Sequence, residues 1–197
     1  MDSVQAKKIF DLLYENIHGF EVSITARRRL GINDKSYTYG EIDFESFKKI
    51  LDITKPQAGE VFYDLGSGTG KPVISAALLF PFSKLYGLEI LNDLHELSKK
   101  ILEEFEILYP DYADHVEFIK ADLMDYDFTN GDVIYIASTC FSTEFMEKLT
   151  KKIELTKPGT RIITLTKEFK SDKLEKIHSD THAMSWGNTT VMIYRRI

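Results

Sequence analysis

Short apolar runs alternate with stretches of helical periodicity through most of the chain. Five runs rich in β-branched and aromatic residues have the character of buried strands, at residues 61–65, 84–90, 115–119, 132–137 and 161–166. Between them, residues 94–108 and 144–155 repeat apolar positions every three or four residues, with polar residues on the opposite face. This alternation predicts an α/β fold whose sheet is parallel, with right-handed crossovers.

The two ends of the chain depart from this alternation. Residues 1–55 have the pattern of helices and loops, and Asp43 is a candidate N-cap for a helix with an apolar face. Near the other end, Gly187-Asn188 predicts the turn of an antiparallel hairpin. Five parallel strands closed by a C-terminal β-hairpin are the plan of class I methyltransferases, which are Rossmann-like proteins with a seven-stranded sheet. We therefore predict an N-terminal helical or lid segment (1–55) and a methyltransferase domain (56–197).

Composition and charge narrow the class of protein. The chain has 197 residues, of which 43% are apolar, and this suits one ordinary domain with a core. The formal net charge is -6, so overall charge does not provide the basic face that nucleic-acid binding usually needs. The sequence contains neither a signal-peptide pattern nor an apolar run near the ~20 residues of a membrane span. These features predict an intracellular, cytoplasmic protein without a membrane partner, nuclear if the source is eukaryotic.

A glycine-rich loop follows the first predicted strand. Its G-x-G-x-G spacing differs from the phosphate-binding P-loop and from the G-x-G-x-x-G loop of nicotinamide-binding proteins. Asp64 lies directly before the loop, where a carboxylate repels a pyrophosphate and favours an ammonium or sulfonium group. S-adenosylmethionine has both groups and no phosphate, whereas a tight turn with glycines for packing is the alternative. The predicted cofactor-binding residues here are Asp64, Gly66, Ser67, Gly68 and Gly70.

Two further acidic residues follow predicted strands. Glu89 ends the second strand, where its carboxylate can accept hydrogen bonds from both hydroxyls of a ribose. Asp122 follows the third strand and is a candidate acceptor for the amino group of adenine. Each acid alone also fits a surface residue or a cap. Together, at the ligand-binding edge of a parallel sheet, they predict a site for S-adenosylmethionine.

Several segments resemble the disruptor-of-telomeric-silencing family, histone lysine methyltransferases that lack a SET domain and use the class I fold. The resemblance extends from about Tyr37 to Arg195, and it is carried by Tyr39-Gly40-Glu41, Asp64-Leu65-Gly66-Ser67-Gly68, Tyr86-Gly87-Leu88-Glu89, Ala121-Asp122, Val133-Ile134-Tyr135-Ile136 with Phe141 and Glu144, and Met184-Ser185-Trp186. It implies an S-adenosylmethionine-dependent enzyme, a protein-lysine N-methyltransferase. It also implies that Tyr39 and Glu41 form a lid over the methionine end of the cofactor, although Tyr39 also fits an ordinary loop aromatic. Asp64 and Gly66 would contact the amino and carboxylate groups.

The acceptor side of the implied site departs from the family. The family's fourth strand ends in Asn-Asn-Phe, but Ala137-Ser138-Thr139 stands there in this chain, so an amide donor and an aromatic wall are missing. Ser138 or Thr139 would then contribute a hydroxyl. The resemblance implies that Phe141 and Trp186 line a narrow channel for the acceptor lysine, with core packing as the alternative. The catalytic candidates are Ser138, Thr139, Phe141 and Trp186.

The family's basic nucleosome-binding segments are also missing, and the net charge is negative. We therefore expect a protein substrate with a lysine acceptor, and not a nucleosome. The alternatives are a class I methyltransferase acting on a small molecule or nucleic acid, a noncatalytic S-adenosylmethionine-binding protein, and a nicotinamide dehydrogenase. The glycine spacing disfavours the last of these.

A metal site is not expected, because the histidines lack metal-ligand spacing. The histidines concerned are four of the five in the chain, namely His95, His115, His178 and His182, and they fit surface or core positions. Cys140, the single cysteine, lies in the presumed active-site segment, and it fits buried packing better than a catalytic thiolate.

Overall fold

The structure is a computed structural model, and it describes residues 1–184 and 187–197. The strands are β1 (Val61–Leu65), β2 (Lys84–Glu89), β3 (Val116–Lys120), β4 (Val133–Ile136), β5 (Arg161–Leu165), β6 (Leu174–Met184) and β7 (Gly187–Arg196). They form one seven-stranded sheet in the order β3-β2-β1-β4-β5-β7-β6. Strands β1 to β5 run parallel, and β7 lies antiparallel between β5 and β6. The predicted architecture is therefore confirmed.

The helices precede the sheet or connect its strands. They are α1 (Ser3–Tyr14), α2 (Gly19–Leu30), α3 (Phe44–Thr54), α4 (Lys71–Leu79), α5 (Asn92–Leu108), α6 (Pro110–Ala113) and α7 (Thr143–Ile153). Two short 3-10 turns cover Lys35–Tyr37 and Ser138–Cys140. Within the described part of the chain, no helix combines the length and apolar character that crossing a bilayer requires.

The C-terminal hairpin differs from its prediction in one respect. Gly187 lies opposite Met184 in the β6–β7 ladder, so Gly187 and Asn188 belong to strand β7 and the prediction that they form the turn is wrong. The β-branched residues Thr189 and Thr190 that follow favour extended backbone, and the pairing continues through them to the glycine.

The N-terminal helices share a hydrophobic core with the sheet. Helix α3 begins after Asp43, whose side chain accepts a hydrogen bond from the Ser46 backbone N–H, as the capping prediction requires. The ring of Phe47 on α3 packs edge-on against Phe62 of β1 and Tyr135 of β4, with centroid distances of 6.2 and 5.4 Å. Because these contacts fix α3 on one face of the sheet, they also position the loop between α2 and α3 above its carboxyl edge.

Candidate active site

A cavity of about 190 Å³ lies at the carboxyl ends of β1 to β4. Its walls include five residues that the sequence predicts for the site, namely Tyr39, Gly66, Glu89, Asp122 and Phe141. A smaller cavity of about 20 Å³ adjoins it and is lined by four more predicted residues or neighbours, Glu41, Asp64, Ser67 and Lys71. Tyr39, Gly66 and Ala137 line both cavities, so the two form one continuous candidate site.

Each of the three loop glycines is required for a different structural reason. All have positive φ, at +92° for Gly66, +55° for Gly68 and +84° for Gly70, which disfavours any other residue. A β-carbon on Gly66 would meet open space, whereas one on Gly68 would collide with the ring of Tyr39 and one on Gly70 with the ring of Phe118. Gly66 therefore leaves room for a ligand, Gly68 lets Tyr39 close over the loop, and Gly70 serves packing.

The carboxylate of Asp64 is buried in an unusual state. Its side chain is only 1% exposed, and neither carboxylate oxygen has a hydrogen-bond partner within the described residues. Burial, together with the nearby carboxylate of Glu89, raises the pKa of Asp64 well above its usual range. Buried carboxylates normally have partners, so this one points to a ligand that carries a donor or a positive charge.

Glu89 is equally buried but is held firmly. Its Oε2 accepts the backbone N–H of Gly68 at 2.8 Å, and its Oε1 accepts the N–H of Leu91 at 2.7 Å. Burial raises the pKa of Glu89, and these two N–H groups partly offset that effect. Each oxygen keeps a second lone pair, and Glu89 lines the large cavity, so its geometry suits the predicted role toward ribose hydroxyls.

The predicted lid residues form a hydrogen-bonded group over the small cavity. The Tyr39 hydroxyl donates to Glu41 Oε1 at 2.8 Å and lies 2.8 Å from Thr69 Oγ1. Lys71 Nζ contacts Glu41 Oε2 at 2.5 Å. Burial is the main cause that raises the pKa of Tyr39, so the phenol stays protonated. Tyr39 and Glu41 therefore lie together, as expected for a lid, and Lys71 adds a cation that the sequence reasoning missed.

The far end of the large cavity is lined by the segment after β3. Asp122 Oδ1 accepts the Met124 backbone N–H at 2.8 Å, which fixes this carboxylate at the cavity wall. Tyr37, from the 3-10 turn before the lid, lies on the same cavity, and burial raises its pKa, followed by the effect of Asp122. Tyr37 was not predicted, since a lone aromatic in a loop carries no sequence signal for a site.

The predicted acceptor side divides into residues that line the cavity and residues that do not. Phe141 is buried at the cavity wall and packs against Phe145, with 4.6 Å between ring centroids. Phe145 also lines the cavity, whereas its place in the periodic apolar pattern of residues 144–155 predicts only a helix core position. Trp186 lies outside the described residues.

The two hydroxyl candidates do not line either cavity. Ser138 is fully buried, with Oγ donating to the Leu165 carbonyl at 2.7 Å and lying 2.6 Å from Thr164 Oγ1. Thr139 Oγ1 lies 3.1 Å from Thr166 Oγ1. The 3-10 turn after β4 directs the Ser138 hydroxyl toward β5, so the structure does not support the expectation that Ser138 replaces the missing amide. Ala137 itself faces both cavities.

The strand order and a ligand site at the carboxyl edge, after a glycine loop, define the class I methyltransferase fold. A mutant of MtNAS, solved in complex with S-adenosylmethionine, aligns with a TM-score of 0.61 and 18% identity over 91% of this chain and 74% of that chain. The structure titled "Putative methyltransferase yhhF from Escherichia coli" aligns with a TM-score of 0.64 and 11% identity, over 80% of this chain and 88% of that one. At these identities the likeness concerns the fold alone.

The chain belongs to the family described as "Histone methylation protein DOT1", whose sequence model matches residues 32–192. A relative from Eremothecium gossypii, "Histone-lysine N-methyltransferase, H3 lysine-79 specific", is 30% identical over 139 residues, which are 66% of this chain. The chain covers only 24% of that protein. A "Protein-lysine N-methyltransferase" from Saccharolobus islandicus is 30% identical over 118 residues, which are 59% of this chain and 68% of that protein. The predicted family is thus confirmed.

Proposed function

We propose that the chain is an S-adenosylmethionine-dependent methyltransferase that acts on a lysine side chain of a protein. The observation that carries the proposal is the buried carboxylate of Asp64, which has no partner in the described structure and lies beside the open space at Gly66. A cationic ligand without phosphate satisfies this carboxylate, and a pyrophosphate does not. Membership of the DOT1 family and the names of the relatives support the same activity.

The residues present fit this cofactor. Asp64 would bind the ammonium group, Glu89 would accept from the ribose hydroxyls, and Asp122 would accept from the adenine amino group. Tyr39 and Glu41 would close over the methionine end, where they already share a hydrogen bond of 2.8 Å. When bound, S-adenosylmethionine supplies a methyl group that its sulfonium activates. The protein's part is therefore to orient the donor and exclude water.

The acceptor lysine must lose its proton before it attacks. Phe141 and Phe145 provide an apolar wall on the large cavity, and desolvation beside such a wall lowers the pKa of an entering lysine. A neutral amine is then held in line with the donor, so a dedicated general base is not required. Ala137 lines both cavities at the position where the family has an amide. The smaller, apolar side chain of alanine leaves the place where the acceptor lysine would enter wider and less polar.

A further question is which protein carries the acceptor lysine. Our sequence prediction of a target other than the nucleosome rests on the net charge of -6, which opposes docking on DNA. The name of the Eremothecium gossypii relative specifies histone H3 and does not support that prediction. The name of the Saccharolobus islandicus relative specifies only a protein lysine. We propose that the acceptor is a lysine of an intracellular protein. Free histone H3 and nucleosomes are therefore tested as separate substrates.

The test is methyl transfer from radiolabelled S-adenosylmethionine to four acceptors: a cell lysate, free histone H3, assembled nucleosomes and total RNA. We expect label in protein, recovered as methyl-lysine after acid hydrolysis. Asp64→Ala should abolish transfer and cofactor binding. Glu117→Ala, which removes an exposed carboxylate within β3, should leave both unchanged.

The outcomes separate the alternatives. Label confined to RNA or to small molecules would contradict the lysine acceptor while leaving the enzyme class intact. Label in nucleosomes but not in other proteins would reject our prediction about the acceptor. A protein that binds S-adenosylmethionine by calorimetry but transfers nothing in any arm would favour the noncatalytic alternative.

A further inference from the structure

Three metal-ligating side chains meet on one face of β6, away from the candidate active site. His178, Asp180 and His182 are alternate residues of the strand and therefore point to the same side of the sheet. One ligand atom from each of the three lies within 4.8 Å of the others. None of the three residues lines either cavity of the active site.

The two histidines lack hydrogen-bond partners at one ring nitrogen each. Nε2 of His178 and Nε2 of His182 are buried from solvent and are unpaired within residues 1–184 and 187–197. Their ring centroids are 6.2 Å apart. A ring nitrogen without a hydrogen-bond partner offers its lone pair to a metal ion, since metals bind the neutral imidazole. A buried, unpaired ring nitrogen is destabilising, and a metal bond would satisfy it.

We propose that His178, Asp180 and His182 bind one divalent transition-metal ion of the zinc type. Two imidazoles and one carboxylate are ligands that zinc accepts, with a fourth position left for water or another donor. Ligand atoms around a tetrahedral zinc ion lie roughly 3.4 Å apart, given bonds of about 2.1 Å. Small side-chain rotations reach that spacing from the observed separations within 4.8 Å.

The surroundings of this three-residue site allow an ion to enter and to be held. Asp180 is exposed, so the site opens to solvent, and its Oδ1 already accepts the Thr181 N–H at 2.7 Å, which orients the carboxylate. Among the described strands, β6 lies at the edge of the sheet and pairs with β7 alone, so a bound ion would connect three residues of an edge strand.

The test uses Zn²⁺ as the probe on full-length, tag-free protein stripped with a chelator. Calorimetry should give one zinc ion per chain for the wild type. His178→Ala and His182→Ala should each weaken binding by ~100-fold or more, and Asp180→Asn by ~10-fold, since outer-shell changes alone cost 10–100-fold. His115→Ala is the matched control, because His115 is exposed and precedes β3 at the opposite edge of the sheet.

A second readout guards against misfolded variants. Zn²⁺ should raise the thermal unfolding midpoint of the wild type and of His115→Ala, and should not change that of His178→Ala or His182→Ala. If an alanine variant does not fold in chelator, His182→Asn takes its place in both measurements. Wild-type zinc affinity in the β6 variants, loss of binding only in Cys140→Ser, or no uptake by the wild type would each overturn the proposal.

Discussion

The carboxylates of Asp64 and Glu89 stand at the ends of neighbouring parallel strands, and only one of them is satisfied. Glu89 accepts two backbone N–H groups, from Gly68 and Leu91, while Asp64 has no partner among the described residues. Glu89 is therefore part of the loop's own architecture. Asp64 lacks such support within the described residues, so we expect the two acids to respond differently to substitution.

Replacing Asp64 with Asn should stabilise the protein without ligand while abolishing S-adenosylmethionine binding. Asn keeps the shape of the side chain but cannot ionise, and burying an unpaired charge costs more than the ~1–3 kcal/mol of an unsatisfied neutral polar group. Burial raises the folded-state pKa of Asp64, so folding favours the protonated side chain. The stability that this protonated form contributes is fully present below the unfolded pKa, and it is lost as pH rises through the folded pKa.

The gain from Asp64→Asn should therefore be about 1–3 kcal/mol near pH 8 and shrink as pH falls toward the unfolded pKa of about 3.9. Denaturant unfolding of both proteins across that pH range measures it. A constant difference at every pH, or a less stable Asn variant near pH 8, would show that the carboxylate has a partner in the folded state.

Glu89→Ala should destabilise the fold as well as the complex. The substitution leaves the N–H groups of Gly68 and Leu91 without acceptors in a buried site, which costs about 1–3 kcal/mol for each. Urea unfolding without ligand should reveal this loss, and calorimetry should show no cofactor binding. In Glu117→Ala, the exposed control on β3, stability should stay within about 0.5 kcal/mol of the wild type.

Gly68→Ala tests whether the lid ring rests on the glycine loop. Gly31 provides a matched control, because it has a similar φ of +66° against +55° for Gly68 but open space where a β-carbon would lie. Gly31→Ala should cost only the backbone penalty of about 1–2 kcal/mol. Gly68→Ala should cost more, because its new methyl collides with Tyr39.

The second effect of Gly68→Ala should appear in ligand binding. Displacing Tyr39 breaks its hydrogen bond to Glu41, so cofactor affinity should fall by about tenfold, which corresponds to one net hydrogen bond. Gly31→Ala should bind as the wild type does. Equal stability losses in the two variants would mean that Tyr39 moves aside without cost and is not a lid.

The centre of the sheet was predictable because β1, β4 and β5 are buried on both faces and therefore read as continuous apolar runs. The predicted run 84–90 matches strand β2 (Lys84–Glu89) within one residue, and 161–166 matches β5 (Arg161–Leu165) equally well. The hairpin turn was misplaced because Gly-Asn is a turn signal that tertiary pairing can override, and Gly187 pairs with Met184 instead.

Apart from Tyr39, Glu41 and Phe141, which the family resemblance implied, the candidate site was predictable where residues follow strands directly. Asp64, Gly66 and Glu89 lie at or just after the carboxyl ends of parallel strands, and the topology brings these ends to one edge of the sheet. Tyr37, Lys71 and Phe145 come from a loop and two helices, and no local pattern links them to the strand ends. The direction of a hydroxyl in a 3-10 turn is not encoded by spacing either, and for this reason the sequence proposed Ser138 for a cavity that it does not line.

Ser138→Ala should separate a structural role from a catalytic one. The hydroxyl is buried and bonded to Leu165 and Thr164, so its loss should lower the free energy of unfolding by about 1–3 kcal/mol. Because Ser138 does not line the cavities, kcat and KM for methyl transfer should stay within about twofold at a temperature where the variant is folded. A fall in kcat of tenfold or more with unchanged stability would restore the catalytic assignment.

Ala137→Asn returns the family's amide to a position that faces both cavities. Asn carries a donor and an acceptor, and a well-placed neutral hydrogen bond contributes about 0.5–1.5 kcal/mol, or roughly threefold to tenfold in affinity. We therefore expect tighter S-adenosylmethionine binding, measured by calorimetry, and a similar rise in kcat/KM on the acceptor found in the transfer assay. Ala137→Leu, which fills the same space without polar atoms, is the control and should weaken binding. If Asn and Leu weaken binding alike, the site accommodates only a small side chain at position 137. The amide of the family would then have no function in this site.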